Sequence, residues 1–533
     1  MPAGSEGYMF RTLKTFKFYK MKHTFFKSLL LLSAGVYMLA GSSCKKLEEF
    51  DDTNVNPNGS LTPIPSALLT NAEIALGGVI SGTGTGGTKA GIFAQYISET
   101  QYTDASLYAE PTLNMGGTYS GPMNDLQVII NKNTDPATSG SSLVQGSGSN
   151  ANQIATATIL KAYYVWTVTD RWGDVPYTEA LQGAANLTPA YDKQSDIYAQ
   201  ILQDLKDGIA GFDGGLAMQG DIMYGGDQSK WKKLANTLRM QIALRMSKVY
   251  PNAGQFAATE FAAAYNDAAG YIGSNADNFT LDYPGSSFKN PYFTIYDGRT
   301  DYAFSQTIGD IMSNMVDGRK PFFKGSGSDF PYGLERADAI NFGTGYAKFL
   351  DDAHREENAN IVIVSAATSL LTVAEGMERG WITAAGTATI YSQAIAESFA
   401  QWGALGAAAY AAGTAANYTT GVGGGSNIGS NIYGSIVGAD AITTTPLQRI
   451  QLQRYLAEYP NGVQGWSEWR RTGVPNLKPT TFATNSDAGK TIPRRYTYFT
   501  TTDYGLNPAQ VAIAIARLTG GDKMNSRIWW DVQ

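Results

Sequence analysis

Cysteine and histidine are nearly absent from this chain. Its 533 residues include one cysteine and two histidines, His23 and His354. A single cysteine excludes an intrachain disulfide and a cysteine-based zinc site. His23 lies in the N-terminal targeting segment described below, and the one remaining imidazole, His354, cannot build a multi-histidine metal centre. A Ser-His-Asp triad would have to use His354, which lies in a charged stretch typical of a solvated surface. The sequence therefore predicts no metal and no cofactor.

Basic residues are also scarce. The chain has 40 basic and 46 acidic side chains, which gives a formal net charge of −6. Six of the bases and one of the acids precede Cys44, so the 490 residues from Cys44 onwards carry 34 bases and 45 acids, a net charge of −11. Nucleic-acid binders need a basic surface that displaces phosphate counterions. This balance argues against a nucleic-acid partner.

Neutral and aromatic groups take the place of the missing charges. Charged residues make up 16% of the chain, against about 25% in an average soluble domain. Glycine and tyrosine are abundant, with 59 and 31 residues. The hydrophobic share of 43% is sufficient for one large core.

The N-terminal region has the pattern of a bacterial lipoprotein signal. Lys22 and Lys27 precede an apolar run over residues 29–40, small residues follow, and the only cysteine is Cys44. This run is too short to span a bilayer of about 30 Å as a helix. We interpret residues 1–43 as a signal peptide with its true start at Met21, and Cys44 as the lipidated residue. Gly41 replaces the usual leucine of the lipobox, and a plain signal peptide with an incidental Cys44 is the alternative.

Residues 44–60 combine an acidic cluster with an Asn/Pro/Gly-rich run and are too polar to pack. We interpret them as a flexible tether. No second secretory or membrane segment follows, so residues 61–533 are predicted to form a single domain.

Apolar residues recur at helical spacing through much of that domain. One stripe over residues 197–209 follows Ser195, and another over residues 231–249 follows Ser229, so both serines are predicted helix starts. Further helices are predicted over residues 152–169, 377–381, 391–402, 446–459 and 508–518. Glycine- and serine-rich segments separate them, at residues 81–88, 134–150, 325–333 and 421–435. The pattern predicts an all-α scaffold that carries long loops.

Six segments in order resemble the SusD/RagB outer-membrane lipoproteins. Residues 159–181 read ILKAYYVWTVTDRWGDVPYTEAL, and residues 191–212 and 231–249 follow in the family order. Later come AEGMERGW at 374–381, GWSEWRRTGVPNL at 465–477, and PRRY at 493–496 with GGDKMNSRIWWD at 520–531. The resemblance covers essentially the whole chain after Cys44.

The resemblance implies a fold, a place and a partner. It implies a SusD-like scaffold of tetratricopeptide-like helix pairs with a loop-rich portion that binds ligand. It also implies an outer-membrane lipoprotein facing the cell exterior, which takes part in nutrient uptake with a SusC-like TonB-dependent transporter. The acidic run after Cys44 resembles the export signal of such lipoproteins.

Two motifs with catalytic associations lack their required context. Gly82, Gly84 and Gly87 satisfy G-x-G-x-x-G, but a dinucleotide site needs a preceding strand and a βαβ unit. The acidic pairs 51–52, 351–352 and 356–357 are adjacent in sequence, which does not create the separation that glycoside hydrolysis needs. We therefore predict that the protein is not an enzyme.

Tyrosines in predicted loops are the informative class. Sugars stack their apolar faces on aromatic rings and bind their hydroxyls to nearby polar groups. The spacing of Tyr102, Tyr108 and Tyr119 fits neither one helix face nor a strand, so we expect some of these rings to be exposed. Packing against the scaffold is the alternative for each ring. The candidate ligand-binding residues are Tyr102, Asp104, Tyr108, Tyr119, Tyr292 and Tyr296.

Tryptophan and arginine in the family-like segments have a structural interpretation. The tryptophans are predicted to pack in the core or against loops. Four arginines are predicted to hold buried carboxylates or carbonyls, because the guanidinium fork suits such pairs. They are Arg470, Arg471, Arg494 and Arg495.

The leading hypothesis is a cell-surface lipoprotein that binds a glycan or related nutrient and delivers it to the transporter. Three alternatives stay open: a helical glycoside hydrolase or lyase, a peptide-binding import lipoprotein, and a structural adhesin. The sequence does not identify the sugar.

Overall fold

Helices dominate the structure, a computed structural model that describes residues 62–82, 87–109, 113–384 and 386–533. The signal peptide, Cys44 and the tether lie outside the described residues. Residues 64–533 group into one compact unit. Within the described residues, no helix combines the length and apolar character needed to cross a membrane.

The α-helices fall into a first group before residue 300 and a second group after it. The first group is α1 Pro65–Ser81, α2 Gly87–Phe93, α3 Gly116–Thr118, α4 Asn124–Thr134, α5 Ser142–Gln145, α6 Asn150–Trp172, α7 Gln194–Gly211, α8 Gln228–Arg245, α9 Phe256–Tyr265 and α10 Pro291–Thr294. The second group is α11 Gln306–Asn314, α12 Lys320–Phe323, α13 Arg336–Asn341, α14 Ala366–Glu378, α15 Thr387–Gln401, α16 Ala407–Ala412, α17 Pro446–Glu458, α18 Gly462–Thr472 and α19 Pro508–Ala516.

Short strands form four two-stranded antiparallel sheets. The strands are β1 Ile97–Glu99, β2 Val175–Pro176, β3 Tyr191–Asp192, β4 Phe279–Leu281, β5 Tyr302–Phe304, β6 Ile361–Val364, β7 Gly423–Ser426 and β8 Asp440–Ile442. The pairs are β1 with β5, β2 with β3, β4 with β6, and β7 with β8. The pairs β1 with β5 and β4 with β6 join segments far apart in sequence, whereas the other two pairs are local.

The long helices pack as successive pairs. Helix α6 packs on α7, α8 on α9, and α14 on α15, while α7, α8, α14 and α17 connect one pair to the next. The predicted apolar stripes face this core: Ile197, Ile201, Leu202 and Leu205 of α7 are all buried. Trp231, Leu234 and Leu238 of α8 are buried as well. The prediction of an all-α scaffold with tetratricopeptide-like pairs and long loops is confirmed.

The two predicted serine caps are wrong by one or two residues. Helix α8 begins at Gln228, and Asp227 caps it by accepting hydrogen bonds from the backbone N–H groups of Ser229 and Lys230. Helix α7 begins at Gln194 without a side-chain cap from Lys193. There, Asp174 from a neighbouring loop accepts the Gln194 N–H at 2.9 Å, so a tertiary contact replaces the local cap.

A buried network of ion pairs joins the helix pairs. The guanidinium of Arg471 in α18 binds both oxygens of Glu375 in α14, at 2.6 and 2.7 Å, and also Glu468 at 2.6 Å. Burial opposes ionisation of Glu468, but the charges of Arg454, Arg471 and Arg245 outweigh burial and lower its pKa to about 2. These carboxylates therefore stay charged inside the core, where paired arginines compensate their burial.

The same network reaches three more helices. The other carboxylate oxygen of Glu468 lies 3.3 Å from Arg245 of α8 and 3.6 Å from Arg454 of α17. Arg245 in turn lies 3.4 Å from Asp170 of α6. Five helices that are far apart in sequence thus share one connected set of charges.

The four predicted anchoring arginines all have such partners. Arg470 donates to the main-chain carbonyl of Arg494 at 2.7 Å, and Arg495 pairs with Asp522. Arg494 lies 3.6 Å from Asp531. Trp166, Trp172, Trp231, Trp466 and Trp530 are fully buried. Both structural predictions are confirmed.

A buried carboxyl pair fixes α1 to the loop before α8. Asp221 accepts four N–H donors, from Met223, Tyr224, Gly226 and the indole of Trp231, at 2.8 to 2.9 Å. Glu73 of α1 accepts the Ile222 N–H at 2.8 Å and is fully buried. Burial, and then the charge of Asp221 and a hydrogen bond to it, raise the pKa of Glu73 well above its ordinary value. Burial therefore favours the protonated form of Glu73 in the folded protein.

The Glu73→Gln variant should lose less stability than the wild type between pH 5 and pH 8. Glu73 is ionised in the unfolded chain over this range, so folding must take up a proton, and stability falls as the pH rises towards the folded-state pKa. Glutamine can make the same hydrogen bonds without taking up a proton. Across this pH range, we expect the free energy of unfolding of the wild type to fall by about 1–3 kcal/mol more than that of the variant. Urea unfolding at both pH values measures the difference.

The exposed Glu335→Gln variant is the matched control and should follow the wild type. Equal pH slopes for wild type and Glu73→Gln would contradict a protonated Glu73.

Candidate functional site

Four loops meet on one side of the molecule and form the surface that we call the loop face. It consists of residues 100–109, 329–336, 429–435 and 476–484. Thr480 joins three of these loops, because its N–H donates to the Tyr108 hydroxyl at 3.3 Å and its Oγ1 donates to the Gly333 carbonyl at 2.6 Å. The Thr481 N–H donates to the Ser435 carbonyl at 2.9 Å. The loops are thus fixed to one another by specific hydrogen bonds.

Tyr102 presents an exposed ring on the loop face. Its side chain is 54% exposed, and the guanidinium of Arg336 lies 5.3 Å from the ring centroid. The loop follows β1, which pairs with β5, and the Thr100 N–H donates to the Asp301 carbonyl at 2.9 Å. Asp104 is also exposed. Exposure of Tyr102 agrees with the sequence expectation, and contact of either residue with a ligand stays a prediction.

Tyr108 is buried, so the expectation of an exposed ring is wrong for this residue. Its exposed fraction is 0%, and its ring packs edge-on against Phe93 at 6.1 Å. The backbone at Tyr108 has φ of 61°, a left-handed turn that reverses the chain after Tyr102. Desolvation raises the pKa of the Tyr108 hydroxyl, which fits a group enclosed by protein.

The remaining candidate tyrosines also serve the scaffold. Tyr119 is half-buried, and its hydroxyl donates to the Pro176 carbonyl at 2.6 Å. Tyr292 and Tyr296 are 3% and 8% exposed, and both pack against Phe349 with centroids 5.5 Å apart. A ring that is more than nine-tenths buried offers little surface on which a sugar could stack. We therefore drop Tyr108, Tyr292 and Tyr296 from the candidate site.

A groove of about 490 Å³ lies on the loop face, and we call it the aromatic groove. It is lined by Gln306, Asp310, Lys320, Lys324, Asp329, Pro331, Phe342, Asn431, Ile432 and Tyr433. Phe342 and Tyr433 are half-buried and pack against a small separate core that contains Phe330 and Tyr346. Partly exposed rings beside carboxylate, amide and ammonium groups are the combination that sugar recognition requires.

Helix α13 connects the aromatic groove to Tyr102. Arg336 at its first residue lies over the Tyr102 ring, and Phe342 directly after its last residue lines the groove. Six helical residues rise about 9 Å. Tyr102 and the groove are therefore close enough for one oligosaccharide to contact both.

Two lysines share one carboxylate inside the groove. Lys320 donates to Asp329 at 2.7 Å and to the Ser313 hydroxyl at 2.6 Å. Lys324 donates to Asp329 and to the Gly327 carbonyl. An ammonium group has three N–H donors. Each lysine thus retains one N–H group that can donate a hydrogen bond to a ligand hydroxyl.

Asp310 fixes the loop that carries Tyr433. Its carboxylate accepts the Gly429 N–H at 2.8 Å and a hydrogen bond from the Gln306 side chain at 3.3 Å. Burial raises the pKa of Asp310, and the nearby Asp329 charge adds to the increase. Asp310 and Asp329 are the carboxylates in this groove that hydrolysis could use.

Neither a metal nor a dinucleotide site is supported by the described part of the chain. In that part, no three His, Cys, Asp or Glu residues are grouped to hold a metal ion. The predicted glycine motif follows helix α1 rather than a strand. His354 pairs with Asp351 at 2.6 Å and lies beside the Trp402 ring.

Sequence reasoning missed Arg336, Phe342, Asp329 and Tyr433. Asp329, Arg336 and Phe342 lie within or beside helix α13, and only the fold brings them together with Tyr433 and Tyr102. A usable signal existed, because Tyr433 and Asp329 lie within the two glycine-rich segments 421–435 and 325–333. An aromatic or acidic residue in a long loop between helices is a better indicator than the spacing of tyrosines.

Comparisons with known proteins point to one family. A SusD-like family profile, described as starch-binding associating with outer membrane, matches residues 57–499. A chitin-binding SusD homolog from Flavobacterium johnsoniae is 25% identical with a TM-score of 0.70, covering 88% of this chain and 98% of that one. A SusD homolog from Bacteroides uniformis is 22% identical with a TM-score of 0.72, covering 87% and 99% of the two chains. A search of curated proteins found no match.

The variants Tyr102→Ala and Tyr108→Ala should differ in stability, because the first ring lies on the surface and the second in the core. We expect Tyr102→Ala to change the free energy of unfolding by less than about 0.5 kcal/mol, because the ring is exposed. Tyr108→Ala should cost about 3–5 kcal/mol, as large-to-small core substitutions do. Urea unfolding of both variants measures this. A large loss for Tyr102→Ala would show that its ring is structural.

Proposed function

This chain belongs to the SusD-like family, and on that premise we propose that it binds an oligosaccharide on its loop face and delivers it to a SusC-like TonB-dependent transporter. The single observation that carries the proposal is the exposed Tyr102 ring beside the aromatic groove. Sugar rings have apolar faces that stack on such side chains and hydroxyls that need the polar groups between them.

The family supports a glycan rather than a peptide ligand. Its profile is described as starch-binding, and two similar solved proteins are named as chitin-binding. Starch and chitin are both neutral polysaccharides. The charged side chains of the aromatic groove balance, with Lys320 and Lys324 opposite Asp310 and Asp329. We therefore propose a neutral oligosaccharide as the ligand.

We propose binding without turnover. Asp329 is held in two ion pairs, and Asp310 is used to fix a loop. Carboxylates that serve as structural anchors are poor general acids or nucleophiles, because catalysis needs one of them free to reach the substrate. The hydrolase alternative would have to use these two residues, which makes it directly testable.

The family is associated with the outer membrane. We propose that Cys44 carries the lipid anchor and that the loop face is turned to the cell exterior. A single acyl chain holds a protein on a membrane only reversibly, so a multiply acylated cysteine is expected.

Purified protein should bind chito- or malto-oligosaccharides in isothermal titration and release no reducing ends. Tyr102→Ala and Tyr433→Ala should each weaken binding about tenfold, as truncation of an aromatic anchor does. The matched control is Tyr504→Ala, a tyrosine that is 38% exposed and lies outside the loop face.

Two results would contradict the proposal. If Tyr504→Ala lost binding and Tyr102→Ala had no effect, the ligand site would lie outside the loop face. If the protein released product and Asp310→Asn abolished this release, the protein would be an enzyme and not only a binding protein.

The Cys44→Ala variant should leave the membrane fraction, because acylation of this residue is the proposed anchor. Fractionation in detergent-free buffer, in cells lacking the transporter, measures this. Cys44→Ala protein that still sediments with the outer membrane would refute the lipoprotein interpretation.

A further inference from the structure

A second groove, of about 440 Å³, lies between the end of α18 and the C-terminal segment, and we call it the basic groove. Lys478, Arg494 and Arg527 line it. None of the described residues that line it contributes a carboxylate side chain. This is unusual on a chain whose net charge is −6. Local charge of one sign in a concave surface attracts ligands of the opposite sign.

Asp531, a carboxylate beside the groove, is shared by three cations. Asp531 is fully buried. Its oxygens lie 2.8 Å from Arg527, 3.6 Å from Arg494 and 3.9 Å from Lys248. One negative charge cannot balance three positive ones; the terminal carboxylate of Gln533, which also lines the groove, offsets one more, and the cations remain in excess.

The environment of these cations agrees with an excess of positive charge. Burial lowers the pKa of Arg494; Asp531 opposes this shift, and Arg527 adds to it. Burial likewise lowers the pKa of Lys248, and three neighbouring arginines contribute to the decrease. An anion bound here would relieve the repulsion among these groups.

The floor of the basic groove is apolar. Trp469, Leu477 and Ile492 line it and are 8%, 5% and 2% exposed, and the Arg494 guanidinium lies 4.8 Å from the Trp469 ring centroid. Charge interactions are stronger beside low-dielectric walls than in open water. Lys478 donates to the Asn476 side chain at 3.0 Å, which leaves two of its three N–H donors for a ligand.

We propose that the basic groove binds an anionic group, a carboxylate, sulfate or phosphate, carried by an oligosaccharide. A larger groove of about 780 Å³ adjoins it through Asn525, Arg527 and Gln533. Its lining adds Lys193, Arg517 and Trp529, and also Asp174, which pairs with Arg517, and Asp531. An isolated ion would occupy little of this space, whereas a chain of sugar units could extend along it. This site shares the segment 476–484 with the loop face, but none of the residues that line it lines the aromatic groove.

The test uses the whole protein after Cys44 and three probes: trigalacturonate, the uncharged galactose trimer and inorganic phosphate. Titration at low ionic strength should show binding of trigalacturonate and not of the neutral trimer. Three variants, Lys478→Ala, Lys478→Gln and Arg527→Ala, should each weaken trigalacturonate binding about tenfold, because each removes one charge-assisted hydrogen bond. The control Lys132→Ala, in α4, should bind like the wild type.

Each outcome decides the proposal. Equal affinity for the neutral trimer, or no effect of Lys478→Ala and Lys478→Gln in folded protein, would overturn it. Phosphate that binds as tightly as trigalacturonate would support the anion site and overturn the oligosaccharide as carrier; weaker phosphate binding supports both. Tyr102→Ala should leave trigalacturonate binding unchanged, which keeps the test separate from the proposed site at Tyr102 and the aromatic groove.

Discussion

The ion pairs of Arg471 with Glu375 and Glu468 are the contact on which the rest of the scaffold depends. They lie in the core and connect, through Arg245 and Arg454, helices that are distant in sequence. Removing one partner would leave a buried charge uncompensated, which is costly. Apolar packing alone allows helices to slide, whereas a bidentate arginine fixes their relative position. The network therefore sets the register of the helix pairs.

Fixed helix pairs give the loops a rigid support. The sheets are too small to form a core, and two of them join segments that are distant in sequence. On the loop face, Thr480 contributes the equivalent joints through two hydrogen bonds. Because the polar groups of these loops bond to one another, the aromatic rings between them hold defined positions. Ligand recognition without a metal or cofactor requires such preorganisation.

The tyrosine cluster shows where sequence reasoning about the site ends. Tyr102 and Tyr108 occur in the same loop, in similar surroundings of polar residues, and their spacing alone does not distinguish them. One ring is exposed and the other fully buried. The difference has two causes. The backbone at Tyr108 is left-handed, and its ring enters a pocket formed by Phe93 and by residues of the distant segment 476–484. Neither the turn nor the pocket has a local signature.

The sequence by itself determined the helical scaffold, the core tryptophans, the anchoring arginines and the family resemblance. These features follow from short-range periodicity or from residue types whose burial demands a partner. Only the tertiary structure decided which aromatic rings are exposed, which carboxylate each arginine binds, and how the two grooves form. Those properties depend on residues hundreds of positions apart, such as Tyr108 and Thr480, meeting at distances of a few ångströms. Chain order does not specify these distances; packing of the helix pairs does.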